Sequence, residues 1–391
     1  MTAEPEFTIG IEEEYHLVDR ASRDLASAPP ASMLTECQGL LTGQVSPEFL
    51  QSQIEVETRV CRNLKEARDD LARLRATVAK VAAKHGLAPI AAATHPFARW
   101  SEQKHTDRQR YDTLARDLAG VARRLMICGL HVHVGISDDD LRIDLMNQAS
   151  YFLPHLAALA TSSPFWQGED TGLKSYRLSV FDALPRTGLP ERCESSGEYQ
   201  RLGRRMAGAG LIHAATKIWW DPRPSAKFPT LELRIPDVCT RLDDSITVAA
   251  FFLCVLSMLY RLKQQNQRWR IYANALIEEN RWRAQRYGCD GEMVDFGKGV
   301  LVPFPELVEE LIELVRPDAE RFGCVTEILH AREIVRRGTS AHSQIAVFEA
   351  AVKAGASRDE ALCAVVDRLI ADTVRGTDAA PALASAGDSP K

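Results

Sequence analysis

The stretch that decides the fold is FTIGIEEEYHLV, residues 7–18, in which apolar and polar side chains alternate. In an extended strand, the side chains of residues i and i+2 lie on the same face. One face therefore carries Glu12, Glu14 and His16, whereas the other is apolar apart from Glu13. We expect a strand that covers a hydrophobic core with one face and displays ionisable groups on the other. Glu13 is expected to be structural or to lie at a strand edge.

Three further segments repeat this alternation: QIEVETRV at 53–60, LHVHVGI at 130–136 and LELRI at 231–235. Their polar positions hold mainly Glu and His, with two Arg and no Lys: Gln53, Glu55, Glu57, Arg59, His131, His133, Glu232 and Arg234. The outer face of an antiparallel sheet is often simply solvated and polar. Carboxylates gathered on one face repel each other, however, unless cations lie between them. The pattern favours a divalent-metal site, and a solvated face remains the alternative.

The pair His131 and His133 allows a second interpretation. Two histidines on one strand face can open a zinc or di-metal hydrolase site. The surrounding carboxylates favour magnesium or manganese over zinc, because hard cations prefer oxygen ligands. A metal-dependent hydrolase that uses His131 and His133 is therefore kept as the alternative function.

Helical periodicity accompanies these strands and predicts an α+β protein. It covers 62–85, 105–126, 138–160, 243–286, 305–316, 326–337, 340–354 and 357–374. We expect one catalytic domain over 1–375, a functional loop at 161–197, and a disordered tail over 376–391. The apolar run 246–260 is shorter than the roughly 20 residues of a membrane span, so it is predicted to be a buried core helix.

Composition narrows the class of protein. The chain has 391 residues and a formal net charge of −5, which disfavours nucleic-acid and polybasic membrane-surface partners. Its nine cysteines are scattered without a CxxC pair, as expected for free thiols in a reducing compartment. The first residues lack the basic and apolar regions of a signal peptide. We therefore predict a cytoplasmic protein that acts on small molecules, and a homo-oligomer is compatible with this prediction.

Seven ordered motifs add a resemblance to a known family. They are GIEEEY (10–15), THPF (94–97), CGLHVHVG (128–135), SPFWQG (163–168), SYR (175–177), WWDPRPS (219–225) and TLELR (230–234). Together they resemble the carboxylate–amine ligase family, also called type 2 glutamate–cysteine ligases, over about residues 7–375. The resemblance implies a glutamine-synthetase-like fold: a curved, mainly antiparallel sheet with helices on one face and an open, metal-lined polar face.

The resemblance also implies an activity and a set of site residues. The expected reaction is ATP-dependent joining of an amino-acid carboxylate, such as glutamate, to an amine, such as cysteine, through an acyl phosphate. Mg²⁺ is the expected metal, with Mn²⁺ possible. The implied metal ligands are Glu12, Glu14, Glu48, Glu55, His131 and Glu232. His131, Arg234 and Arg223 are implied contacts of the nucleotide, and Arg234, Arg177 and Arg223 are implied catalytic residues.

Two points stay open within this set. Arg177 and Arg223 could bind a substrate carboxylate or a phosphate, because a planar guanidinium suits both. Each could equally form a structural salt bridge. His133 could bind metal directly or support the site from behind.

Overall fold

The computed structural model of the protein describes residues 4–107, 111, 116, 118, 120–212 and 218–379. The helices of this part are α1 (Ala31–Leu40), α2 (Leu64–Ala83), α3 (Asp139–Ala149), α4 (Leu153–Ala160), α5 (Tyr176–Phe181), α6 (Ser196–Gly208), α7 (Leu242–Gln264), α8 (Asn274–Tyr287), α9 (Phe304–Phe322), α10 (Val325–Arg337), α11 (Ser340–Lys353) and α12 (Arg358–Thr373). Short 3₁₀ turns lie at Trp100–Glu102, Ala122–Arg124, Ser150–Phe152 and Gly288–Asp290. The strands are β1 (Ile9–Asp19), β2 (Val45–Pro47), β3 (Gln53–Glu57), β4 (Leu87–Ile90), β5 (Leu130–Gly135), β6 (Phe165–Trp166), β7 (Glu169–Asp170), β8 (Thr187–Gly188), β9 (Trp219–Trp220), β10 (Pro222–Pro224), β11 (Thr230–Leu233), β12 (Glu292–Asp295) and β13 (Val300–Pro303).

Seven of these strands form one antiparallel sheet around β1. The order is β10-β11-β5-β1-β3-β2, and β4 pairs with the end of β1 beyond β5. The register places Glu12 opposite His131 on one side and opposite Glu57 on the other. Glu232 lies opposite His133. The pairing therefore brings the polar positions of four segments, distant in sequence, onto one face of the sheet.

The other face of the sheet packs on helices α2 and α7. All residues from Ile246 to Tyr260 of α7 are buried, which confirms the predicted core helix. Among the described residues, α7 is the one helix long and apolar enough to cross a membrane by length and composition, and 89% of its most apolar window is buried inside the protein. The apolar side chains of β1 and β5 complete this core.

Glu13 lies on this buried side and is neutralised there. Its carboxylate accepts from Arg75 at 2.7 and 2.8 Å, and both side chains are fully buried. Arg75 also donates to the carbonyl oxygens of Cys239, Thr240 and Thr373. The expectation that Glu13 is structural is therefore confirmed: it ties the central strand to helix α2 and to two chain segments behind the sheet.

Several helical boundaries differ from the sequence expectation. The pattern over 243–286 is two helices, α7 and α8, and the pattern over 138–160 is also two, α3 and α4. Pro154 lies in the first turn of α4, where its missing N–H costs nothing but interrupts a continuing helix. The predicted functional loop 161–197 contains helix α5. Nine of the 22 residues of the helix expected at 105–126, and the tail from residue 380 onward, lie outside the described residues. The single-domain boundary stays a prediction.

Candidate active site

The polar face of the sheet lines an open cavity of about 610 Å³. Side chains from β1, β3, β5, β10 and β11 form its floor, and α5 together with the β10–β11 turn contributes to its walls. All nine predicted site residues line this cavity: Glu12, Glu14, Glu48, Glu55, His131, Arg177, Arg223, Glu232 and Arg234. His133 lines it as well, whereas His16, predicted on the same face, is fully buried and does not line the cavity.

Glu12 is at the centre of two potential metal-binding groups. Its carboxylate, with Glu55 and His131, offers three ligand atoms that lie within 4.8 Å of one another. The same carboxylate, with His133 and Glu232, forms a second group of the same kind. His131 Nδ1 and His133 Nε2 each lie 3.2 Å from one of the two Glu12 oxygens. One carboxylate could therefore bridge two cations.

His133 is held in an orientation that suits a ligand. Its Nδ1 lies 2.9 Å from the hydroxyl of Thr230 on the neighbouring strand. Its Nε2 is buried and faces a Glu12 oxygen at 3.2 Å. A metal-binding histidine is usually oriented by a hydrogen bond at the ring nitrogen that does not bind the metal, and Thr230 supplies such a contact to His133 Nδ1. The geometry thus places both histidines, and not His131 alone, within reach of a cation.

Additional carboxylates lie near the first ligand group, the one formed by Glu12, Glu55 and His131. Burial, followed by the neighbouring Glu48 carboxylate, raises the pKa of Glu14 to about 7. Burial and the charges of Glu48, Glu12 and Glu14 raise the pKa of Glu55 well above its usual value. Within the described part of the chain, no Lys or Arg forms an ion pair with Glu14, Glu48 or Glu55. Hard divalent cations bind such oxygen donors, so the residues present fit the expected metal.

Two arginines, Arg223 and Arg234, lie at the β10–β11 edge of the sheet. Arg223 Nε lies 2.9 Å from Glu232, and Arg234 forms a second ion pair with the same carboxylate. Burial alone would raise the pKa of Glu232, but these two guanidinium groups outweigh it and hold that pKa well below its usual range. The salt-bridge alternative therefore applies to Arg223, which nevertheless also lines the cavity.

Arg177 differs from Arg223 and Arg234 because its partners are backbone oxygens and not a carboxylate. Its guanidinium donates to the backbone oxygens of Ile235 and Arg234 at 3.1 and 3.2 Å, and only 2% of the residue is exposed. No carboxylate of the described residues lies within ion-pair distance, and burial lowers its pKa. A Cβ atom at Gly129 would lie 2.5 Å from Arg177 Nη2, so this close approach requires glycine. A buried cation without a carboxylate partner is suited to an anionic ligand.

Sequence reasoning missed the group that positions Arg177. The buried carboxylate of Asp237 accepts from the Ser162 amide and from the hydroxyls of Ser163 and Ser175, all within 2.9 Å. The Ser163 hydroxyl in turn accepts from the Arg177 amide. Ser163 and Ser175 belong to the SPFWQG and SYR motifs, but no periodicity connects these motifs with residue 237.

Other cavity residues were missed as candidates. Glu57 lies on the polar face and could have been chosen from the alternation alone. Lys227 and Phe228 in the β10–β11 turn, and Phe49 and Tyr111 on the opposite wall, also line the cavity. Nothing in the local sequence distinguishes these four from ordinary turn or core residues.

Comparison with known proteins agrees with this geometry. The family model described as glutamate–cysteine ligase family 2 matches residues 8–367. A relative from Rhodospirillum rubrum named "Putative glutamate--cysteine ligase 2" is 62% identical over 382 residues, which cover 96% of this chain and 98% of the relative. A relative of the same name from Jannaschia sp. is 54% identical over 366 residues, with 94% and 96% coverage.

Two solved structures share the fold. The glutamate–cysteine ligase of Francisella tularensis in complex with AMP has a TM-score of 0.68 at 12% identity, over 98% of this chain and 92% of that one. A bifunctional glutathione synthetase from Pasteurella multocida has a TM-score of 0.68 at 14% identity, over 95% of this chain and 53% of that one. These likenesses confirm the predicted α+β architecture, and the family model confirms the predicted kinship. The chain is a member of glutamate–cysteine ligase family 2.

Proposed function

We propose that the protein is an ATP-dependent carboxylate–amine ligase that joins glutamate to cysteine through an acyl phosphate. The observation that carries this proposal is the pair of ligand groups sharing Glu12, with the guanidinium of Arg234 beside them. Phosphoryl transfer spreads negative charge over the transferred group, so its catalysts are mostly positioned cations. Family membership and the names of the relatives support the same reaction.

The residues of the first and second ligand groups would hold two divalent cations, Mg²⁺ by preference and Mn²⁺ as an alternative. Glu14 and Glu48, whose carboxylates act on Glu55, would complete the first group. Bound cations neutralise the phosphate oxygens and bridge the nucleotide to the protein. The preference for Mg²⁺ rests on the excess of carboxylate over imidazole donors in the cavity.

The arginines would bind the anionic groups. Arg234 and Arg223, next to the second ligand group, are placed to contact the phosphate chain. Arg177, buried and without a carboxylate partner among the described residues, is placed to hold the substrate carboxylate by its planar fork. The glutamate side-chain carboxylate then attacks the γ-phosphate, ADP leaves, and the amine displaces phosphate from the acyl group.

The hydrolase alternative receives less support from the cavity. A zinc hydrolase would need further nitrogen ligands, yet His131 and His133 are the histidines that line the described cavity. The remaining donors are carboxylates and arginines, a combination suited to phosphate chemistry.

Isotope transfer tests the proposed mechanism. Glutamate labelled with oxygen-18 in its side-chain carboxylate, incubated with Mg-ATP and cysteine, should yield labelled phosphate, because one carboxylate oxygen bridges to phosphorus before the acyl bond breaks. Arg234→Lys should lose most of the rate, since an ammonium group cannot replace the fork of a guanidinium. Unlabelled phosphate accompanied by confirmed dipeptide would contradict the acyl-phosphate route.

The cellular setting is also proposed. All nine cysteines are free thiols, and eight of them are buried. Free thiols persist in reducing compartments, so we place the enzyme in the cytoplasm. Its partners are the small-molecule substrates, and the predicted homo-oligomer and the absence of nucleic-acid and membrane partners stay predictions.

A further inference from the structure

The turn between β10 and β11 presents an aromatic ring at the rim of the cavity. Phe228 is 47% exposed, although burial of a phenyl ring is normally favourable. The ring contacts His133 edge to face, with centroids 6.2 Å apart, and so lies directly beside the second ligand group. Phe228 and Lys227 both line the cavity.

Hydrogen bonds within the turn hold the ring in this position. The Ser225 hydroxyl accepts from the amides of Lys227 and Phe228, each at 3.3 Å. Thr230, the residue that orients His133, donates its amide to the carbonyl of Phe228 at 2.8 Å. The turn is therefore built as part of the strand pair that carries Glu232, and the exposed ring is not at the end of a loose loop.

The charges of the cavity indicate which ligand lies at this end. The far end carries Glu14, Glu48 and Glu55, which repel a polyphosphate unless cations intervene. Arg223 on β10 and Arg234 directly after β11 both contact Glu232 of the second ligand group. Lys227 lies in the turn itself, with its ammonium 5.9 Å from the centroid of the Phe228 ring, and acts on the nearby carboxylate of Glu57. A polyphosphate chain anchored at the second ligand group, whose His133 contacts the Phe228 ring, would therefore extend away from the acidic end and place its nucleoside at the turn.

The opposite wall offers no comparable platform. Phe49 and Tyr111 are 6% and 3% exposed, so their rings are largely covered by protein. They also border the acidic end, where the charges favour the ammonium groups of amino-acid substrates. Trp219, which lines the cavity next to β10, is only partly exposed, and the guanidinium of Arg186 lies over its ring, 5.6 Å from the centroid. Phe228 is therefore the most exposed aromatic ring among the described residues that line the cavity.

We propose that Phe228 is the stacking surface for the purine base of the nucleotide. This assignment rests on the proposed ATP-dependent function and adds the site of the base, which the ligand groups and arginines leave undefined. A ring held at the mouth of a cleft can stack on any purine, because every base has a π face. Recognition at this position should therefore depend on the ring and little on the identity of the base.

The test measures binding in the full chain by calorimetry, at saturating Mg²⁺ and without amino acids. Phe228→Ala should weaken binding of ATP about tenfold, since stacking of one base on an aromatic ring is of that order. GTP should lose a similar factor. Phe228→Tyr should bind ATP within about twofold of the wild type, because tyrosine keeps the ring.

Inorganic triphosphate provides the decisive comparison. It carries the phosphate chain but no base, so Phe228→Ala should leave its affinity unchanged. Trp282→Ala removes an aromatic ring that is 48% exposed on α8 and does not line the cavity, and this control should bind every ligand as the wild type does.

Two outcomes would overturn the assignment. Equal loss of ATP and triphosphate binding in Phe228→Ala would mean that the turn positions the phosphate site instead of the base. Unchanged ATP binding would mean that the base lies elsewhere. A wild-type protein that binds neither nucleotide nor triphosphate would instead refute the proposed function, so the two failures are distinguishable.

Discussion

Strand β1 carries three consecutive glutamates, and the two faces of the sheet surround them very differently. Glu13, on the rear face, is fully buried and meets Arg75 through two hydrogen bonds. Glu12 and Glu14, on the front face, share an open cavity with further carboxylates. The rear face thus contains a complete ion pair, whereas the front face contains an excess of negative charge.

The difference separates residues that stabilise the fold from residues that bind a ligand. Arg75 directs all its N–H groups at acceptors: the Glu13 carboxylate, the Ser245 hydroxyl and three backbone oxygens. Because the charges and N–H groups of this pair already have partners within the protein, the pair does not require a bound ion or ligand. On the front face, the raised pKa of Glu14 shows that its charged form lacks sufficient compensation within the protein.

The largest expected effect follows from breaking the rear pair. Arg75→Met should lower the free energy of unfolding by about 3–5 kcal/mol, because it leaves the buried Glu13 carboxylate without its cation. Urea denaturation at pH 7 measures the change. Replacing both partners, in Arg75→Met/Glu13→Leu, should recover much of the loss, because the buried charge is then absent.

An exposed pair provides the control. Lys65 and Asp69 form an ion pair on α2 with side chains 84% and 57% exposed. Lys65→Met should leave the urea midpoint essentially unchanged, because exposed pairs contribute little. A midpoint for Arg75→Met equal to that of Lys65→Met would refute the distinction between the two faces.

The front face should give the opposite result. Glu12→Gln, or Glu232→Gln, should lower ATP turnover by about 10²-fold or more at saturating Mg²⁺, because each removes a charge from the cation site. Glu14→Gln, on the same face, should unfold at the same or a higher urea concentration than the wild type at pH 7, because burial and the Glu48 charge disfavour the Glu14 carboxylate. Glu57→Gln, on the same face but outside both ligand groups, should lose less than about tenfold. Normal turnover in Glu12→Gln would exclude the proposed metal site.

The smallest effects concern the two histidines. His131→Ala and His133→Ala should each lower turnover by about 10–100-fold and raise the Mg²⁺ concentration required, because each group of ligands loses one donor. Thr230→Val, which removes the hydroxyl beside His133 Nδ1, should change turnover in the same direction as His133→Ala but by less. Loss in His131→Ala with normal activity in His133→Ala would leave only the first group as a metal site. Activation by zinc without ATP would restore the hydrolase alternative.

Alternation along four short segments was sufficient to predict much of this molecule. Because side chains in a strand alternate strictly, residues 7–18 alone assign Glu12 and Glu14 to one face and Glu13 to the other. The ordered motifs predicted the family, and the family model confirms it. The apolar run 246–260 predicted the buried core of α7, because the run is too short to span a bilayer and its side chains are too apolar for an exposed helix.

The tertiary structure alone decided how these residues combine. Strand register made Glu12 the residue shared by two ligand groups, and no local pattern encodes which strands pair. It also gave Arg223 a carboxylate partner and left Arg177 with backbone oxygens, because ion pairing depends on contacts between residues far apart in sequence. The positions of Asp237 and Phe228 have the same origin. Periodicity determines which face a side chain occupies, but only the packing of distant segments determines what that side chain meets.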